Sequence, residues 1–151
     1  MPGTGRKNND YTDINYDAIT MKIDAVTIVY DVTQPRGASA AAIGKAVSFA
    51  AAADTVQLAS DGEALCGVLL QVTADGFCTV QHRGFAPLPA GASATVTPGT
   101  QAVGALGAAS AKGYIRNAAS GTPAELVRRG PYIWNNADLN NVWVDFGGSA
   151  T

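Results

Sequence analysis

Charged residues are scarce in this 151-residue sequence, where Asp, Glu, Lys and Arg together make up 15%. Typical soluble domains contain about 25%. The net charge is −2 and the sequence carries no basic stripe, which argues against nucleic acid as a partner. A surface so poor in charge predicts that part of it is covered by another protein. The alternative is that Gly, Ala, Ser and Thr replace charged residues on a solvated β surface.

Residues that carry catalytic or metal chemistry are also scarce. His82 is the single histidine, and neither a nucleophile nor an orienting group is indicated beside it, as a general base requires. One histidine and two separated cysteines do not form a zinc-binding pattern. Asp10, Asp13 and Asp17 lack the central glycine and terminal glutamate of a calcium loop. We therefore expect no enzymatic activity, no metal site and no cofactor.

Long apolar runs are lacking as well. No stretch reaches the roughly 18 to 20 apolar residues that a membrane span requires. The polar N-terminus has no apolar core of the kind found in a secretory signal. We therefore expect neither a membrane partner nor export.

Only two cysteines are present, Cys66 and Cys78, and they flank a predicted hairpin. If Asp75-Gly76 forms a two-residue turn, Cys78 faces Thr73 and Cys66 lies far from it on the opposite face. That register disfavours a disulfide. The prediction is two buried free thiols, in a protein made in a reducing cytoplasm.

The first 21 residues differ in character from the rest. They are polar and rich in Asn and Asp, so they cannot bury enough apolar surface to fold alone. We predict an extended N-terminal arm over residues 1–21, whose isolated apolar side chains are anchors for a partner. An ordinary unstructured terminus is an equally good interpretation. The predicted anchors are Tyr11, Ile14, Tyr16 and Ile19.

Residues 22–151 are predicted to form a single all-β domain, a small β-barrel or β-sandwich. Short apolar runs alternate with turn sequences at the spacing of such folds, and almost every run is too short for a helix. The segment KIDAVTIVYDV, residues 22–32, is β-branched and aromatic and favours a strand. Further strands are predicted at Lys45–Phe49, Thr55–Leu58, Leu65–Thr73, Phe77–Arg83, Phe85–Leu88, Ala94–Val96, Gln101–Val103, Tyr114–Arg116, Leu126–Trp134 and Asn141–Phe146.

Three aromatic residues near the C-terminus are candidates for a contact surface. Tyr132, Trp134 and Trp143, if exposed, would suit an oligomer contact or the stacking of a sugar ring. Aromatic residues at such positions are more often part of a core or an interface, so both interpretations stay open.

The order of motifs from Ile43 to Arg116 resembles that of the capsid decoration, or cement, proteins of tailed bacteriophages. An alanine-rich turn in AVSFAAAADTVQLASDG leads into the glycine-valine strand CGVLLQV. An Asp-Gly turn and then TVQHRGFAPLPAG follow, and the later TPG and KGYIR segments suit the same layout.

This resemblance implies a β-tulip-like barrel in the virion, on the capsid exterior, assembled in the host cytoplasm. Such a protein clamps neighbouring major capsid subunits, is commonly a homotrimer, and uses its N-terminal arm to add a strand to the shell. Two alternatives stay open. One is a tail or head-tail component, and the other is a small β-barrel that binds a carbohydrate or another host ligand.

Overall fold

The computed structural model describes residues 16–119 and 130–147, and within them the chain is all-β, as predicted. These residues contain no α-helix and one short 3-10 turn at Ala108–Ser110. The strands are β1 Tyr16–Ile23, β2 Ala46–Phe49, β3 Thr55–Leu58, β4 Gly67–Val72, β5 Phe77–Leu88, β6 Ala102–Ala105, β7 Tyr114–Asn117, β8 Tyr132–Asn135 and β9 Val142–Asp145.

Five of these strands close into a small barrel in the order β1-β3-β2-β4-β5, with β5 pairing back onto β1. The β1–β3 pair is parallel and the other pairs are antiparallel. Closure leaves no open sheet edge around the barrel. The predicted β-barrel is therefore confirmed.

A second layer of strands extends from the barrel through the long strand β5. Its first part, up to Gly84, pairs with β1 and β4, and its last four residues pair with β9, which pairs in turn with β8. The separate strands predicted on either side of Gly84 are in fact one strand of 12 residues. Gly84 has a positive φ of 81°, which a glycine adopts at little cost. Strands β6 and β7 form a separate two-stranded sheet.

The alternation of side chains along β2 and β4 creates two hydrophobic cores. Val47 and Leu69 point into the barrel, whereas their neighbours Ala46 and Val68 belong to a cluster on its outside. Successive residues of a strand point to opposite faces, so both cores use the same strands. The outer core contains Ala46, Ala59, Leu65, Val68, Ala86, Leu88, Val96, Ala102, Ile115, Ile133, Val142 and Val144.

The predicted strand over residues 22–32 is wrong beyond Ile23. The Asp24 carboxylate accepts hydrogen bonds from the backbone N–H groups of Val26, Thr27 and Ile28, at 2.9–3.2 Å. These local bonds compete with a sheet ladder and turn the chain. Ile28 is thereby buried in the barrel core.

The hairpin between β4 and β5 has a longer loop than predicted. Gly76, with a φ of 84°, is the only residue of its loop in the left-handed region, so the two-residue type I′ turn, which needs two such residues, does not form. Thr73 N–H donates to Phe77 O at 2.8 Å, and Cys78 pairs with Val72 rather than with Thr73. Both thiols are free, as predicted, with Cys78 buried and Cys66 half-buried.

The predicted arm of residues 1–21 overlaps the barrel. Strand β1 begins at Tyr16, and its residues pair with β5 from Tyr16 opposite Gly84 to Lys22 opposite Phe77. Residues 16–21 therefore belong to the body, because alternate apolar residues in this stretch complete the barrel wall. The predicted anchors Tyr11 and Ile14 lie outside the described residues.

Two other strand predictions differ from the structure. Residues Ala94–Val96 form no strand. In the predicted strand Leu126–Trp134, the observed β8 begins at Tyr132, and residues 126–129 lie outside the described ranges.

Candidate functional site

The outer face of the sheet formed by β8, β9 and the last part of β5 is aromatic. Along these strands the buried residues alternate with outward-facing ones, so Ile133 and Val144 fill the core while their neighbours face solvent. The side chains of Tyr132, Trp134 and Trp143 are exposed by 51%, 65% and 43%. The three aromatic residues singled out from the sequence therefore lie on one face. We call this surface, with Phe85, the aromatic face.

Phe85 also belongs to the aromatic face, and the sequence analysis did not identify it. Its ring packs edge-on against Trp134, with the ring centroids 5.4 Å apart and the ring planes at 70°. This is a favourable geometry for an aromatic pair. Phe85, Trp134, Asn135 and Trp143 line a shallow depression of about 410 Å³. Phe85 could have been found from its position. It directly follows Gly84, and in strand β5 it is one of the alternate residues whose side chains point outward.

A β-bulge positions Trp134 on this face. Ile133 pairs with Val144 and Asn135 pairs with Trp143, so Trp134 is the extra residue of β8. A bulge bends its strand and re-aims the side chain it carries. Here it lets both tryptophans contribute to the depression.

Local hydrogen bonds hold the ends of the aromatic face. The side-chain oxygen of Asn135 accepts from Ala137 N–H at 2.8 Å, and Asp145 Oδ1 accepts from Gly147 N–H at 2.7 Å. Asn136 Nδ2 donates to Val96 O at 2.8 Å, which ties the β8–β9 loop to the rest of the molecule. The exposed rings thus stand on a fixed scaffold, which lowers the entropic cost of binding.

The molecule has a second apolar opening, which we call the barrel mouth. It is a cavity of about 280 Å³ at the end of the barrel where β1 begins. Val56, Leu65 and Val80 are buried lining residues, whereas the lining residues Ile19 and Phe49 are exposed. Ile19, predicted as an arm anchor, therefore lines a cavity of the body.

His82 lies at the barrel mouth beside two charged residues. Its Nε2 is 3.7 Å from Asp17 Oδ2, and Arg83 Nη1 is 3.9 Å from the same oxygen. Its Nδ1 is buried, and no group in residues 16–119 or 130–147 forms a hydrogen bond with it. Cys66 lines the same cavity as His82. Burial raises the pKa of the Cys66 thiol to about 12, which disfavours the reactive thiolate form.

Cys78 is similarly unreactive, because burial raises its pKa to about 11. In the part of the chain that the structure describes, no three His, Cys, Asp or Glu side chains converge as metal ligands. Within the same residues, no helix is both long and apolar enough to cross a membrane.

Comparison with known proteins identifies no relative. No protein-family profile, no curated protein and no solved structure matches this chain.

Proposed function

We propose that this protein is a structural capsid decoration protein that docks on a phage head through its aromatic face. The observation that carries the proposal is the exposure of Tyr132, Trp134 and Trp143 on one face of a sheet, where Trp134 packs against Phe85. Tyrosine and tryptophan are the residue types that dominate the binding energy of protein interfaces. The motif order from Ile43 to Arg116 supports the choice of a phage head as the partner.

The low charge supports a protein partner for this face. Charged residues make up 15% of the chain, and the centres of protein interfaces are depleted in charge and enriched in aromatic residues. In a decoration protein, the major capsid protein is the partner and a homotrimer is the favoured form. Many copies on one shell would stabilise that shell even if each contact were weak, because multivalent attachment raises the overall avidity.

The test is co-sedimentation of the protein with purified phage heads that lack it. Trp134→Ala and Trp143→Ala should each weaken head binding by about tenfold or more, the size of a hot-spot loss. The matched control is Phe49→Ala, because Phe49 is as exposed as Trp134 but lies at the barrel mouth. Equal binding of all three variants and the parent would contradict the proposal.

The arm is tested separately, by a deletion that spares the barrel. Residues 16–23 form β1, so the deletion must end at Asn15 to leave the body folded. We expect the shortened protein to lose head affinity if Tyr11 and Ile14 are capsid anchors. Unchanged binding would limit the capsid contact to the body.

Analytical ultracentrifugation distinguishes the tail alternative, because a tail-tube subunit forms rings or hexamers and a decoration protein forms trimers or monomers.

A second candidate function is carbohydrate binding at the same face. The specific observation is Asn135, which lines the depression beside the two tryptophans. Its side-chain oxygen accepts a hydrogen bond from Ala137 N–H, and its side-chain NH₂ group is a donor of the kind that can bond a sugar hydroxyl group. A glycan array with the parent protein and Trp143→Ala tests it. Glycan binding that Trp143→Ala abolishes, together with no head binding, would favour this function over capsid decoration.

A further inference from the structure

A carboxylate lies among the rings of the aromatic face. Asp145 on β9 is directly opposite Phe85 on β5 and Tyr132 on β8. Directly opposite residues carry their side chains on the same side of a sheet. Asp145 also follows Trp143 by two residues on β9, and alternate residues of a strand share one face about 7 Å apart. The carboxylate therefore points to the same side as these rings and lies beside them.

The charge on this part of the chain has one sign. Residues 130–147 contain two acidic residues, Asp138 and Asp145, and no basic residue. The last four residues of β5 are uncharged. The preceding base on β5, Arg83, has its guanidinium 3.9 Å from Asp17 Oδ2. The strand segments that form the aromatic face therefore supply an acidic group and no base to neutralise it.

The Asp145 carboxylate is oriented by the chain and keeps acceptor capacity. Its Oδ1 accepts a hydrogen bond from Gly147 N–H at 2.7 Å. A carboxylate can accept about four hydrogen bonds, so this bond orients the group without saturating it. Aromatic rings present a negative face that attracts cations. An oriented carboxylate beside such rings therefore has the chemistry that recognises a cation.

We propose that the aromatic face binds an arginine side chain of its protein partner. A planar guanidinium stacks on aromatic rings and donates paired hydrogen bonds to a carboxylate. Tryptophan is the ring that attracts cations most strongly, and Trp134 and Trp143 both line the depression. Arginine, tryptophan and tyrosine dominate the binding energy of interfaces and tend to pair across them. This inference rests on the proposed function, since it takes the partner of this face to be a protein.

The two tryptophans make the binding directly observable by nuclear magnetic resonance. Trp134 and Trp143 are the two tryptophans of the sequence, so both indole N–H signals of the full-length protein come from this face. The probe is N-acetyl-arginine methylamide at constant ionic strength, and its neutral match is the citrulline analogue, which has a urea group instead of guanidinium. We expect the arginine probe to shift both signals with a Kd on the order of 1 to 10 mM. The citrulline probe should bind about fivefold more weakly.

A charge-removing variant tests the role of the carboxylate. Asp145→Asn should weaken binding of the arginine probe by about fivefold, the upper range for an exposed ion pair, and its amide oxygen can still accept from Gly147 N–H. The matched control is Asp75→Asn, which removes the same charge from the loop before β5. Phe77, at the start of β5, is separated from Phe85 by eight residue steps, or about 26 Å along the strand. The control should therefore leave the Kd unchanged.

A ring-removing variant tests the role of the aromatic side chains. Trp143→Leu keeps an apolar side chain but has no ring, and it should weaken binding of the arginine probe by about threefold to tenfold. The indole signal of Trp134 reports the binding in this variant. Equal Kd values for the arginine and citrulline probes, or an unchanged Kd in Asp145→Asn, would overturn the proposal.

The co-sedimentation assay separates this inference from the proposed function. Head binding that persists in Asp145→Asn, with no binding of the arginine probe, would keep the decoration function and overturn the arginine contact. Binding of the arginine probe that depends on Asp145, with no head binding, would keep the arginine contact and overturn the phage head as the partner.

Discussion

At the scale of single residues, Asp24 decides where the first strand ends. The β-branched run of residues 22–32 favours a strand, yet the Asp24 side chain accepts three backbone N–H groups and the Thr27 hydroxyl. Thr27 in turn accepts a hydrogen bond from Leu58 N–H at 2.9 Å. One side chain therefore overrides the propensity of its neighbours and fixes the loop to β3.

Removing this carboxylate should destabilise the fold. We expect Asp24→Ala to lower the free energy of unfolding by about 1 to 2 kcal/mol, because it leaves several N–H groups without their acceptor. Urea titration followed by circular dichroism measures the change. Asp31→Ala is the matched control, since Asp31 also accepts bonds in a turn, from Thr33, but in an exposed one. An equal loss in both variants would contradict this role of Asp24.

The same carboxylate should make stability depend on pH. Burial raises the pKa of Asp24, but the hydrogen bonds from Thr27, Ile28 and Val26 outweigh it, so the pKa is lowered from 3.8. Because the pKa is lowered in the folded state, the stability that the ionised Asp24 carboxylate contributes is complete above about pH 4 and is lost as the pH falls further. The stability gap between the parent and Asp24→Asn should therefore narrow from pH 6 to pH 3. If urea titrations gave the same difference in unfolding free energy between the parent and Asp24→Asn at pH 6 and at pH 3, this pH dependence would be contradicted.

At the scale of the elements, strand positions were largely predictable and their partners were not. The strand Thr55–Leu58 was predicted with its observed bounds, because turn residues flank a short apolar run on both sides. The hairpin loop was predicted one residue too short, since Asp-Gly also fits a three-residue loop with glycine in the left-handed position. Tyr132, Trp134 and Trp143 could be named from the sequence as candidates for a contact surface, but their exposure on one face is visible only in the fold. Phe85 was missed because the direction of its side chain depends on β5 continuing through Gly84. The sequence predicts two separate strands there, whereas the structure has one.

Close packing between two strands explains the need for glycine at position 67. A Cβ added to Gly67 would lie 2.2 Å from the carbonyl oxygen of Gln81 on the neighbouring strand β5. We expect Gly67→Ala to cost about 2 to 4 kcal/mol, in the range of severe overpacking. Gly76→Ala is the contrasting variant, because Gly76 has open space around it and a positive φ. It should cost only about 1 to 2 kcal/mol, from backbone strain. If urea titrations gave equal losses of unfolding free energy for Gly67→Ala and Gly76→Ala, the backbone at Gln81 would have moved away from the new methyl group at little cost.

At the scale of the whole molecule, the closure of the barrel is what the sequence could not reveal. β1 and β5 pair over seven residue pairs although some 60 residues separate them in the chain. The polar composition before Lys22 led to an arm that includes Ile19 and Met21. In the fold these two side chains lie at the barrel mouth, and β1 completes the wall. Only the three-dimensional partner strand distinguishes a barrel strand from an arm here.

The sharing of strands between the two cores predicts that the body unfolds as one unit. Leu69 belongs to the barrel core and Ile133 to the outer core, and β2, β4 and β5 contribute to both. Leu69→Ala and Ile133→Ala should each cost about 2 to 5 kcal/mol. Because each core needs the same three strands, each variant should shift one common transition.

Tryptophan fluorescence and far-ultraviolet circular dichroism test this cooperativity together. The two tryptophans, Trp134 and Trp143, both lie on the outer sheet, so their fluorescence follows the outer core, whereas circular dichroism follows all the strands. Leu69→Ala, although it alters only the barrel core, should lower the fluorescence midpoint in urea as much as the dichroism midpoint. If the fluorescence midpoint stayed at its parent value, the two cores would unfold separately, and residues 22–151 would not be the single domain that the sequence predicts.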